Sequence, residues 1–189
     1  MGTKDFNLID TFIAKVRMNK VSGYISSGDI ILDFGCGNRS FLLEKMNSKF
    51  KYGIGVDYDV KNLKKGNIEY NKIKFVKKLP FKNSFFDKIF LMAVLEHIDT
   101  NKVKSLFKEF ERILKPNGII VLTTPTSRSK RFLEFLAYKL HLISEKEIKD
   151  HKMYYDRNKI ENISPNLSII TYESFELGIN RLCVIKKNK

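Results

Sequence analysis

A short apolar stretch, Ile30-Ile31-Leu32, ends on an acidic residue, Asp33, and runs through Phe34-Gly35-Cys36-Gly37-Asn38 into a helix-forming segment from Phe41 to Met46. This strand, glycine turn and helix constrain the chain more than any other feature. Glycine removes the Cβ that would hold a ligand away from the backbone, and it reaches backbone angles closed to other residues. The alternation continues. Tyr52 to Val56 reads as a second strand ending at Asp57, and a third lies between Ile68 and Val76 with its register open. Phe86 to Met92 reads as a fourth, and Ile119 to Thr123 as a fifth. Between these two, Lys102 to Leu114 spaces Val103, Leu106, Phe107, Phe110, Ile113 and Leu114 as one helical face. Strands that alternate with helices pack as a parallel sheet covered on both faces, so an α/β, doubly wound architecture is expected.

Both ends of the chain add to this pattern. Residues Asn7 to Tyr24 place Leu8, Ile9, Phe12, Ile13, Val16 and Val21 on roughly one face of a helix suited to covering the sheet or the ligand cleft. From Leu167 onward, Ser168 to Phe175 and Arg181 to Ile185 flank Gly178 and Asn180 as the arms of a β-hairpin would. No repeat or hinge-like linker interrupts the 189 residues. One domain over 1–189 is therefore expected, with an N-terminal helix at about 7–24, a core at 28–126, a variable region at about 127–165 and a closing hairpin at 167–187.

The turn and the carboxylate after it form a recognisable constellation. Asp57 follows Gly37 by twenty residues, at a strand end where a carboxylate can accept hydrogen bonds from both hydroxyls of a ribose. A dinucleotide fingerprint would place glycine at position 40, where this chain has Ser40. The Asp-x-Gly-x-Gly arrangement of Asp33 to Gly37 instead resembles the first motif of class I S-adenosylmethionine-dependent methyltransferases, specifically those of the type 11-like group. Later stretches carry the resemblance on: Leu79-Pro80-Phe81 followed by Ser84-Phe85-Phe86-Asp87, Val94-Leu95-Glu96-His97-Ile98, Ile113 to Gly118, and Thr123-Thr124-Pro125. It spans roughly Val21 to Thr126. It implies a Rossmann-like, mostly parallel seven-stranded sheet with a C-terminal antiparallel hairpin.

Carried over by position, the resemblance implies S-adenosylmethionine as cofactor and S-adenosylhomocysteine as its product. Asp33, Gly35, Cys36 and Gly37 would lie along the methionine portion, with Asp33 near the amino group. Asp57, with Tyr58 beside it, would hold the ribose. Leu79 and Phe81 would lie near the adenine, and Glu96 and His97 at the mouth of the site. Two positions depart from the family pattern: Arg39 stands where a third glycine is frequent, and no Asp occurs between Asp59 and Asp87, where Lys72, Lys77 and Lys78 occupy the usual place of an acidic adenine contact. Those departures motivate a noncatalytic binding module of the same fold as an alternative to the enzyme. A nicotinamide-dependent dehydrogenase is disfavoured by the Asp33 spacing.

Because the sulfonium cofactor carries an activated methyl group, the protein's main task is to align the acceptor. His97 is the first candidate for a general base, since imidazole titrates near neutrality, and His151, with Tyr154 and Tyr155 behind it, is the second. Ser127 to Ile143 mixes basic and apolar residues as a lid meeting a membrane surface would, although a buried or dimerising helix has the same pattern. An oxygen or nitrogen of a small molecule, saccharide or lipid-linked intermediate is the expected acceptor, with RNA as the alternative.

Charge bears on that choice. The formal charge of +14 draws the chain toward phosphates. Of the 35 basic residues only seven are arginine, and the lysines run along the whole chain as a solvated surface does. Cys36 and Cys183 stand far apart without the spacing of a zinc site, so free thiols and no metal are expected. No apolar run approaches the ~20 residues of a transmembrane helix, Asp5 and Asp10 interrupt any secretory signal, and a cytoplasmic location is expected.

Overall fold

In the computed structural model, the described residues are 8–38, 40–74, 77–126 and 153–188. His151 and the basic, apolar stretch 127–143 lie outside them, so the readings made on those residues are not addressed by the structure. The elements, in chain order, are α1 (Leu8–Ser22), β1 (Ile30–Phe34), α2 (Phe41–Met46), β2 (Tyr52–Asp57), β3 (Leu63–Lys65) and β4 (Ile68–Lys72). They continue with β5 (Phe86–Met92), α3 (Thr100–Ile113), β6 (Leu114–Pro125), α4 (Arg157–Glu161), β7 (Leu167–Phe175) and β8 (Asn180–Lys187).

The strands form one eight-stranded sheet in the order β3-β4-β2-β1-β5-β6-β8-β7. Its centre is parallel, with β1 flanked by β2 and β5, and β7-β8 closes one side as an antiparallel hairpin against β6. The expected class is present, with one strand more than expected. The added strand is β3, which pairs antiparallel with β4 through Lys64 and Glu69 and forms the outer edge. Gly66, at φ +60, turns the chain back after only three residues of β3. Such a short arm with no buried side chain gives no periodic signal.

The pleat explains why the strands read as continuous apolar runs. Along β1, β5 and β6, Ile31, Phe90 and Val121 enter the layer beneath α1 and α2, while Leu32, Ile89, Leu91, Ile120 and Leu122 enter the layer beneath α3. Alternate residues on the same strand thus fill opposite cores. In α3, Val103, Leu106, Phe107, Phe110 and Ile113 are all buried, and Phe110 meets Phe34 edge-on at 5.3 Å. Gly53 and Gly55 let α2 and its neighbours approach β2, because a Cβ at Gly53 would come within 2.8 Å of both Leu43 and Phe50.

Polar contacts fix the register at the opposite end from the glycine turn. Asp87 accepts from the Ile30 N–H at 2.8 Å and from the Lys115 ammonium, joining β1, β5 and β6. Arg112 of α3 makes five hydrogen bonds. Two reach the carboxylate of Glu109, and the others reach the carbonyls of Leu79 and Phe81 and the Asn83 side chain. The loop entering β5 is therefore tied down by one guanidinium fork.

Candidate active site

At the carboxyl ends of β1 and β2 the chain turns sharply. Gly35 and Gly37 have φ of +80° and +69°. A Cβ at Gly35 would come within 2.5 Å of Val94 Cγ2, so the position requires glycine for space as well as for angle. Around Gly37 the space is open, with nothing within 4 Å of where a Cβ would stand. The amides of the turn face inward. Gly35 and Cys36 donate to the Val56 carbonyl at 2.8 and 3.2 Å, and Gly37 donates to Asp57 Oδ2 at 2.9 Å. These three amides hold the turn to β2, so what the corner presents outward is its bare Cα surface and the carboxylates on either side.

Two carboxylates frame that surface. Asp33 is buried, and its Oδ2 accepts from Ser40 Oγ at 2.5 Å. Burial raises its pKa to about 6; the Ser40 bond opposes this rise, and the nearby Asp57 charge adds to it. Asp57 is half-buried and accepts from Gly37 N–H and from Asp59 N–H, each at 2.9 Å. Each carboxylate oxygen has a second lone pair for a hydroxyl or ammonium donor.

Ser40 was not among the residues expected at the site. It replaces the last glycine of a dinucleotide fingerprint, caps α2 by accepting from Leu43 N–H at 2.9 Å, and donates to Asp33. A serine directly before an apolar helix is a cap signal in itself. Its contact with Asp33 depends on the curvature of the turn.

A second wall comes from the end of β5. Ala93 has φ +56°, unusual for a residue with a Cβ, and its N–H donates to the Thr123 carbonyl at 2.9 Å. This bend carries Val94 onto the Cα face of Gly35 and leads into a single 3₁₀ turn, Leu95–His97. The turn separates the two residues read as neighbours at the mouth. Glu96 is 1% exposed, whereas His97 is exposed. Burial raises the Glu96 carboxyl to about 7 against the opposing charge of Arg17. Glu96 Oε2 has no hydrogen-bond partner among the described residues. Tyr155 is buried and lies near enough for the Glu96 charge to help raise its phenol pKa. Glu96, Arg17 and Tyr155 thus bring α1, the end of β5 and the segment before α4 together, a meeting that spacing in the sequence does not show.

The remaining expected residues fall as follows. Burial, then the charges of Asp33 and Asp57, push the Cys36 thiol well above its ordinary range, so it stands by the turn as a neutral thiol. Tyr58 is exposed just past β2. Leu79 is buried in the α3-side core, with its N–H donating to Glu109 at 2.7 Å. Phe81 is half-buried against Phe86 and lines a groove beside β4. Among the described residues, no three His, Cys, Asp or Glu side chains come together as a metal site, and no helix is long and apolar enough to cross a membrane.

Comparison with known proteins gives the class to which this fold and corner belong. Residues 8–165 match the model of a methyltransferase domain family. The chain is 31% identical over 174 residues to an uncharacterized protein of Methanocaldococcus jannaschii, covering 85% of this chain and 74% of that one. It is 30% identical over 109 residues, 55% of this chain, to the tRNA (carboxymethyluridine(34)-5-O)-methyltransferase of Arabidopsis thaliana, of whose length it spans only 26%. A solved S-adenosylmethionine-dependent methyltransferase from Methanosarcina mazei superimposes with a TM-score of 0.64 at 17% identity, over 89% of this chain and 97% of that one. The chain belongs to the class I S-adenosylmethionine-dependent methyltransferases, and S-adenosylmethionine is the cofactor that goes with that membership.

Proposed function

We propose that this chain, acting as a single domain, transfers a methyl group from S-adenosylmethionine to an oxygen or nitrogen of an acceptor. The observation that carries the reading is the corner at Gly35–Gly37, bound by its own amides to β2 and framed by Asp33 and Asp57. Its residues fit the cofactor. The open face at Gly37 admits an aminoacyl chain, Asp57 offers its oxygens to a ribose diol, and Asp33 offers a carboxylate whose ionised form an ammonium group would favour. The cofactor supplies the activated methyl group. The protein's own part is to bind, to orient and to exclude water.

For proton removal from an acceptor, His97 keeps its place as a candidate because it is exposed beside the site, and His151 remains a second. Glu96 lies in the interior near Tyr155 and is not placed to take a proton from an acceptor. The two unpaired thiols, Cys36 and Cys183, suit a reducing, cytoplasmic setting.

A small molecule, saccharide or lipid-linked intermediate is the first reading of the acceptor. RNA is the second, favoured by the likeness to a tRNA-modifying enzyme and by the positive charge. Calorimetry with S-adenosylhomocysteine tests the cofactor reading: saturable binding that falls at least about tenfold in Asp57→Ala is expected. Undiminished affinity in that variant would place the pocket elsewhere.

A further inference from the structure

The lysines are not spread evenly. Between Lys61 and Lys82 the chain holds eight lysines and one acid, Glu69, a net +7 that is half of the formal +14. Folding gathers this segment at one end of the sheet, where it forms the outer strand β3, its partner β4 and the loop into β5. All eight lysines, 61, 64, 65, 72, 74, 77, 78 and 82, are exposed. Among the described residues none of the eight forms an ion pair within 4 Å.

Two acids close enough to feel the charges of Lys64 and Lys78 are hydrogen-bonded to other groups. Glu69 accepts from the Tyr52 hydroxyl and from Asn71, and Glu109 is taken by Arg112 and the Leu79 N–H. Lys64 lies over the Tyr52 ring at 5.7 Å from its centre. Lysine on an edge strand serves to block pairing with another sheet. That purpose accounts for Lys64 and Lys65 on β3 and leaves the other six unexplained.

The surface also has a groove. About 470 Å³ in volume, it is lined by Phe81 and Phe85, the amides of Asn62 and Asn71, Lys72 and Lys82, and by Glu69, whose carboxylate is held by Tyr52 and Asn71. It adjoins the carboxyl end of β2, where Ile73 N–H donates to the Asp57 carbonyl at 2.9 Å. Clustered ammonium groups attract phosphates, whereas aromatic faces and amides beside them match the faces and edges of unpaired bases. An anionic lipid surface would engage the ammonium groups alone, whereas the rings and amides of the groove add a match to bases.

We propose that this edge is a docking surface for the phosphate backbone and unpaired bases of RNA. The inference deepens the RNA reading of the acceptor and concerns docking alone, so it can fail while cofactor binding stands.

The test compares two quartets of lysine-to-alanine substitutions, Lys61, Lys65, Lys74 and Lys82 from the patch, and Lys15, Lys104, Lys108 and Lys159 from other elements. Probes are an unmodified tRNA transcript, a poly(U) oligomer, and phosphatidylcholine vesicles with and without phosphatidylserine. Removing four phosphate contacts should lower the slope of log affinity against log salt by about 3 and weaken RNA binding about tenfold or more, with the second quartet binding nearly as the parent does. Equal losses in both quartets, absent RNA binding, or capture by anionic vesicles alone would each overturn the proposal. Melting temperature reports folding, and the pair Lys74→Ala with Lys82→Ala carries the same test at half the slope change if the quartet unfolds. S-adenosylhomocysteine affinity, measured on the same proteins, should stay unchanged.

Discussion

The Gly37 amide donates to the Asp57 carboxylate at 2.9 Å, joining two residues twenty positions apart. The carboxylate proposed to hold the ribose therefore also fixes the turn that admits the rest of the ligand. Replacing Asp57 should cost more than a single lost ligand contact. Asp57→Ala is expected to weaken S-adenosylhomocysteine by about 1.5–3 kcal/mol, and Asp57→Asn by less, because its amide oxygen still accepts from Gly37. Calorimetry on the pair checks this, and equal losses would argue against a role for the Gly37 bond.

Gly35→Ala combines a forbidden angle with a collision. At φ +80 the new Cβ costs about 1–2 kcal/mol in backbone strain, and it would stand 2.5 Å from Val94 Cγ2. A lower melting temperature and lost cofactor affinity are expected. Adding Val94→Ala should recover the part due to collision and leave the part due to φ, which the melting temperatures of the single and double variants separate.

Glu96 gives stability a pH dependence of defined sign. Unfolded, its carboxyl releases the proton near 4.5; folded, it holds the proton to about 7. The folded chain thus binds more protons in that window, so this contribution is full below about 4.5 and is lost as pH rises through 7. Glu96→Gln, which cannot ionise, should lack this fall and melt several degrees above the parent at pH 8 relative to pH 5. Parallel pH profiles of the two melting temperatures would contradict the assignment.

Arg112 should prove structural. Its guanidinium serves Glu109, two carbonyls and Asn83 with one planar fork, a geometry that lysine does not reproduce. Arg112→Ala and Arg112→Lys are both expected to lose about 1.5–3 kcal/mol of stability in urea melts. A fully stable Arg112→Lys protein would show that charge alone holds the loop.

Periodicity and local chemistry were enough to locate α2 and β5 to the residue and to find the Asp33–Gly37 corner and Asp57. These features are legible because a strand buried on both faces is apolar along its length and a turn at these angles favours glycine. What spacing could not supply were contacts between distant segments. Glu96 and His97 are adjacent in sequence, yet the bend at Ala93 sends one into the interior and leaves the other in solvent. Ser40 gains its contact with Asp33 from the turn, Leu79 enters the core through ties to α3, and β3 exists through pairing with β4. The count of lysines stood in the sequence all along, but their common location on one edge arises because strand order, rather than chain order, decides which side chains become neighbours.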